Sequence, residues 1–202
     1  MRIGIDFDNT LICYDDAFYA AAIERSLIPA QTARSKRAIR DYLRLEQREA
    51  EWTELQGYIY GSGMHLAQPF PGAFDFLERC ARNGVDVCII SHKTRVPYLG
   101  AKIDLHEAAE TWLRDQGVFG RVGLPRERVF FELTKEAKLA RIASEQCTVF
   151  IDDLPELLTE PAFPPVVRRL LFDPAGDGTS SSGLESVRSW EEAALMLLGS
   201  PR

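Results

Sequence analysis

Asp6 and Asp8 end the first apolar run of the chain, which reads Arg2-Ile3-Gly4-Ile5-Asp6-Phe7-Asp8-Asn9-Thr10-Leu11. In extended backbone, residues i and i+2 share a face, so two carboxylates at a strand tip can converge on one point. Carboxylates held together away from water need a cation or a proton to relieve them. The chemistry open to this pair is therefore metal binding or proton transfer. Three other positions carry polar groups of similar promise. Val87-Cys88-Ile89-Ile90-Ser91 is an apolar run ending in a hydroxyl, and Val149-Phe150-Ile151-Asp152-Asp153 ends in two more acids. Lys138 lies on the helical stretch just before that second run. Where strands are parallel their C-terminal ends point one way, and ligands bind there at the switch in strand order. Four carboxylates, a hydroxyl and an ammonium would then share one crevice. A hard divalent cation suits such oxygen donors, and magnesium is the expected cofactor.

Each of these residues also has a plainer reading. Asp side chains cap free backbone donors in turns, Ser91 alone could be a turn residue, and a single helix lysine is usually solvated. Lys135 competes with Lys138. Asp153 could serve a helix N-terminus, which favours Asp152 as the direct metal ligand. His92 and Lys93 follow Ser91 and stand either at the crevice rim, touching substrate, or in an exposed turn. Arg37, Arg40, Arg44 and Arg48 recur at helical spacing, but Asp41, Glu46, Glu49 and Glu51 are interleaved, which favours a salt-bridged solvated face.

The elements needed to position these groups can be read from the pattern. Five runs read as strands, Arg2–Asp6, Val85–Ser91, Arg128–Glu132, Cys147–Ile151 and Val166–Phe172, and most of them are continuous apolar stretches, as in strands buried on both faces. Helical spacing marks Gly72–Arg82. Asp104 with Glu107 and Ser189 with Glu192 fit capping boxes, and Thr134 can cap a helix running to Glu145. Alternating strands and helices predict a mainly parallel sheet with right-handed crossovers. The link from Thr10 to Gly72 is far longer than a crossover needs. It reads as helical over Asp15–Leu27 and again over 32–60, an insertion standing over the acidic strand tip like a lid. Its aromatic residues Tyr14, Phe18, Tyr19, Trp52, Tyr58 and Tyr60 are expected to pack the insert onto the core. Lys93–Ile103 reads as irregular; Pro161–Pro165 and Ala175–Gly183 read as surface loops.

Composition narrows the partners. The 202-residue chain has 46% hydrophobic and 27% charged residues, ordinary for a globular protein, and a net charge of −6. With a pI near 5.2, no general affinity for nucleic acid or anionic membrane is expected. The four scattered cysteines form no CxxC pair, and no secretory leader or membrane span is read, so a reduced cytoplasmic setting is expected.

Asp6-x-Asp8-x-Thr10, then Ser91, Lys138 and Asp152-Asp153 in order resemble the four motifs of the haloacid dehalogenase (HAD) superfamily. Lys138 precedes Asp152 by 14 residues, a spacing similar to the nucleotidase-like and capsule-related branches. The resemblance implies a three-layer Rossmann-like α/β core, residues 1–12 and 70–202, with a five-stranded parallel sheet in the order 5-4-1-2-3. Residues 13–69 would be a C1-type helical cap. It also implies an aspartyl-phosphate formed on Asp6, with Asp8 as acid and then base. Thr10, Ser91 and Lys138 would serve the phosphate, and Mg2+ would be held by Asp6, the Asp8 carbonyl and Asp152 or Asp153. Dehalogenases of the superfamily lack the second acid, so Asp8 points to a phosphatase acting on a small phosphorylated metabolite. A phosphotransferase, or a non-catalytic binding module of the same fold, are the alternatives. The oligomeric state stays open, with a homodimer through an apolar cap edge as one option.

Overall fold

The computed structural model describes residues 1–176 and 183–200. In chain order the strands are β1 (Arg2–Ile5), β2 (Ile12–Cys13), β3 (Gln68–Pro69), β4 (Asp86–His92), β5 (Val129–Glu132), β6 (Val149–Asp152), β7 (Arg168–Phe172) and β8 (Glu185–Val187). The helices are α1 (Asp15–Glu24), α2 (Lys36–Leu45), α3 (Glu49–Tyr60), α4 (Ala73–Arg82), α5 (Leu105–Asp115), α6 (Lys135–Ser144), α7 (Pro155–Leu158) and α8 (Trp190–Leu198). Two compact units result. One comprises Met1–Leu11, Pro69–Lys93 and Gly117–Arg202, the other Ile12–Gln68 and Thr94–Gln116.

The first unit is organised by a six-stranded sheet in the order β5-β4-β1-β6-β7-β8, with every neighbouring pair parallel. The five expected strands are all present and follow the expected order about β1. The sheet differs by its sixth strand, β8, which extends the β7 edge. Glu185-Ser186-Val187 buries only Val187, so it carries no apolar run that could mark it in the sequence. Most of the neighbouring 175–183 stretch, expected as a loop, lies outside the described residues.

Helices cover both faces of this sheet. On one, Leu139 and Ile142 of α6 and Leu157 and Leu158 of α7 pack with Cys88, Ile90 and Phe150. On the other, Trp190 at the start of α8 stacks on Phe76 of α4 and on Phe172 of β7, with ring centroids 4.9 and 5.3 Å apart. Gly4 has no side chain for a packing reason: a Cβ there would lie 2.6 Å from the Phe150 ring and 2.8 Å from Cys147 Sγ. Two helix starts are those the sequence marks. Thr134 Oγ1 accepts from Ala137 N, and Ser189 Oγ from Glu192 N. Phe163, in the segment expected as a surface loop, is buried in the core.

In the second unit, β2 and β3 form a two-stranded sheet where the insertion leaves and rejoins the chain. The single helical stretch expected over 32–60 is two helices. Gln47 takes the left-handed conformation at φ 58°, Arg48 N donates to Leu43 O at 2.8 Å, and the chain turns between α2 and α3. The aromatic residues pack mainly on one another: Phe18 on Trp52 at 5.1 Å and Tyr14 on Tyr60 at 5.0 Å. The arginines are paired as a salt-bridged face, Arg37 and Arg40 with Asp41, Arg44 with Glu49, Arg48 with Glu51. Residues 94–116, read from the sequence as core, pack with this unit. Asp104 caps α5 by accepting from His106 N and Glu107 N. Gly57 of α3 lies so close to Leu99 O that a Cβ would approach it to 2.6 Å. Among the described residues no helix is long and apolar enough to cross a membrane.

Candidate active site

The strand tips of the first unit bring the acids together. Beyond β1 the Asp6 N–H donates to Ile151 O of β6 at 2.9 Å, which holds the first acid at the end of the central strand. The chain then turns sharply. Asn9 adopts φ 58°, a conformation Asn tolerates better than most residues. Leu11 N donates to Phe7 O at 3.1 Å, and Trp190 Nε1 donates to Thr10 O at 3.1 Å. The sequence did not mark Asn9 or Trp190 as supports of this loop. An Asn after an acid-rich strand end was the available signal for the first; nothing local signals the second, which lies 180 positions away.

Lys138, on the inner side of α6, reaches between two carboxylates. Its Nζ is 2.6 Å from Asp6 Oδ1 and 2.6 Å from Asp152 Oδ2. All three residues are buried. Burial works against the ammonium, but Asp152 and Asp6 outweigh it and hold the Lys138 pKa above its ordinary value. Asp6 is pulled both ways. Burial pushes its pKa up, Lys138 pulls it down, and Asp152 and Asp8 add to the rise. The net direction is upward, to about 7. Lys135, the competing lysine, is instead paired with Glu160 at 2.9 Å on the surface.

Asp152 and Asp153 play different parts in the geometry. Asp152 is fully buried, with Oδ1 accepting from Leu154 N at 2.9 Å and Oδ2 held by Lys138. Asp153 is partly exposed. The Thr10 hydroxyl lies 3.5 Å from both Asp153 Oδ1 and Asp6 Oδ2, so its single proton serves one of them at a time. Asp6, Asp152 and Asp153 each present a carboxylate oxygen within 4.8 Å of the others. Ser91 is buried near the end of β4, two residues past the Ile5–Ile89 pair of β1 and β4. Lys93 is buried as well, and its ammonium contacts Asp8. His92 points elsewhere: its Nε2 lies 3.2 Å from Leu133 O, in an exposed position. The structure thus brings Asp6, Thr10, Lys138, Asp152 and Asp153 into contact, joins Lys93 to Asp8, and leaves His92 and Lys135 outside that network.

Comparison with models of protein families finds no match, and comparison with curated proteins finds none either. Solved structures do match, over nearly the whole chain. A predicted phosphatase from Clostridium acetobutylicum has a TM-score of 0.62 at 12% identity, covering 98% of this chain and 97% of its own. A dehalogenase has a TM-score of 0.59 at 15% identity, covering 97% and 96%. YfnB from Bacillus subtilis, a HAD-type protein bound to magnesium, has a TM-score of 0.54 at 13% identity, covering 97% of both. The chain shares its fold with these solved structures. At these identities the likeness is one of fold, and it spans proteins of more than one described chemistry.

Within this fold the donor set fits a divalent cation. Asp6, Asp8, Asp152 and Asp153 supply four carboxylates against the two ammonium groups of Lys93 and Lys138, which leaves a formal −2 at the site when all are ionised. The donors are hard oxygens with no nitrogen or sulfur among them, a set suited to magnesium.

Proposed function

We propose that this chain is a magnesium-dependent phosphomonoesterase that works through an aspartyl-phosphate on Asp6. One observation carries the reading: a buried carboxylate, Asp6, held by Lys138 within 4.8 Å of two further acids. Such a carboxylate can be at once nucleophile and metal ligand. Asp6, Asp152 and Asp153 would hold the cation with their side chains, and Asp8 with its carbonyl. When bound, magnesium would supply positive charge to the phosphoryl oxygens.

The chain's own groups account for the rest. A carboxylate oxygen of Asp6 attacks phosphorus, and the bond from phosphorus to the ester oxygen breaks. Asp8 gives its proton to the departing oxygen. In the second half Asp8 takes a proton from water as that water attacks phosphorus, the bond to Asp6 breaks, and phosphate leaves. Lys138 orients Asp6 and offers charge to the phosphoryl group, and Ser91 would be a neutral donor to it. Thr10 fixes the loop between the two acids. Asp8 is the residue that favours a phosphatase over a dehalogenase, which has no leaving oxygen to protonate. The substrate class is a small phosphorylated metabolite, in keeping with a net charge of −6 that disfavours polyanions.

The test is phosphate release with magnesium across a broad panel of phosphorylated metabolites. Wild-type turnover should vanish with chelator. It should fall at least about 10³-fold in Asp6→Asn, as removal of a nucleophile does elsewhere. Turnover retained by Asp6→Asn would refute the mechanism.

A further inference from the structure

The buried ammonium of Lys93 has no part in the reaction as set out above, yet it is built into the site. Its backbone N–H donates to Glu132 O at 2.8 Å, which ties the chain just past β4 to the end of β5. Its Nζ lies 2.8 Å from Asp8 Oδ2 and 3.0 Å from Asp8 Oδ1. The ring centroid of Phe7 is 5.7 Å from the same nitrogen. Lysine side chains ordinarily run their ammonium out to water. This one is 3% exposed, whereas the Asp8 side chain it grips is 20% exposed. The ammonium therefore holds the carboxylate from a buried position, while part of the carboxylate itself reaches solvent.

We propose that Lys93 is a positioning residue for Asp8: by contacting both carboxylate oxygens, it sets the place and rotation of the group that serves the leaving oxygen. The inference rests on the phosphatase reading and deepens it. Lys93 neither gains nor loses a proton. The bond from Asp6 to phosphorus forms, the ester bond breaks, and the proton that Asp8 took from water in the preceding turnover goes to the ester oxygen. Proton delivery depends on a donor within hydrogen-bond reach of the acceptor. An alkyl ester needs that proton, because an alkoxide is a poor leaving group. An aryl ester with a nitro group departs as a stable anion and hardly needs it. Loss of Lys93 should therefore harm the two ester classes unequally.

The experiment compares kcat/KM for β-glycerophosphate and p-nitrophenyl phosphate, with magnesium, in wild type, Lys93→Met, Asp8→Asn and the double variant. That ratio reports the steps up to departure of the leaving group and so excludes the later hydrolysis of the phosphoenzyme. Lys93→Met should lose on the order of 10- to 100-fold on the alkyl ester, a share of the 10²- to 10⁴-fold that general acid catalysis contributes. On the aryl ester it should lose no more than about 3-fold, where that contribution is small. In the Asp8→Asn background Lys93→Met should add little on either ester, because residues acting as a unit are not additive. Lys93→Gln, a neutral donor of similar reach, carries the same comparison if Lys93→Met does not fold. Equal losses on both esters, or losses that add to those of Asp8→Asn, would overturn the inference and leave the phosphatase reading standing. An equal rise in KM on both esters at unchanged kcat would overturn it too, by placing Lys93 on the phosphoryl group the two substrates share. No turnover of either ester by wild type would overturn the phosphatase reading and this inference with it.

Discussion

At the scale of single residues, the site is a problem in charge burial. Lys138 spans Asp6 and Asp152 at 2.6 Å each, with all three closed off from water. Removing one member of such a set leaves uncompensated buried charge and costs about 3–5 kcal/mol. Lys138→Met is therefore expected to lower metal-free stability by an amount of that order. Magnesium at the same carboxylates would replace part of the lost charge, so the variant should gain more from saturating magnesium than wild type does. Chemical denaturation with chelator and with magnesium measures both quantities. An equal gain in the two proteins would mean that cation and ammonium do not address the same carboxylates. Most of this residue-level site was legible. Acids at strand ends, a hydroxyl at another strand end and a lysine 14 positions before an acid pair are short-range signals. The partner of Lys93 was not legible, because Asp8 lies 85 positions away and only the pairing of β1 with β4 brings them near.

At the scale of elements, legibility followed whether an ending is written in local chemistry. Thr134, Asp104 and Ser189 announce α6, α5 and α8 because a side-chain oxygen serves the free N–H groups of the first turn. The break between α2 and α3 was hidden because its left-handed residue is Gln47, where a glycine would have marked it. β8 was hidden for another reason: three residues with one buried side chain give no period to detect. The Gln47 case can be tested. A non-glycine residue in the left-handed region costs roughly 1–2 kcal/mol. Glycine removes that strain but gains chain entropy in the unfolded state, an opposing effect of about 0.4–1 kcal/mol. Gln47→Gly should accordingly stabilise the protein by up to about 1 kcal/mol, read as a raised urea midpoint at unchanged slope. A lowered midpoint would show that the Gln47 side chain contributes more to this turn than its backbone strain costs.

At the scale of the whole molecule, one folding equilibrium carries the charge of the site. A chain of net charge −6 that gathers four carboxylates around two ammonium groups has assembled repulsion that a cation can relieve. Anything that binds the folded state alone stabilises it by mass action, about 2.7 kcal/mol at a concentration 100 times the dissociation constant. For a chain of this length each kcal/mol raises the unfolding midpoint by roughly 2–4 °C. The proton is the competitor. Burial pushes the folded Asp6 carboxyl up to about 7 against an ordinary value of 3.8. Between those two values the metal-free folded state binds more protons than the unfolded state. Its stability from this group therefore falls as pH rises across that window. Magnesium held by Asp6 would need the ionised carboxylate, so its affinity should run the opposite way and strengthen as pH rises toward 7. The midpoint increment from a fixed magnesium concentration should be small at pH 5.5 and several degrees larger at pH 8, with Asp6→Asn flattening the dependence. Thermal unfolding at the two pH values, with magnesium and with chelator, decides it. An increment in wild type that is the same at both would show that no proton is displaced from Asp6 and that the cation is held by other groups.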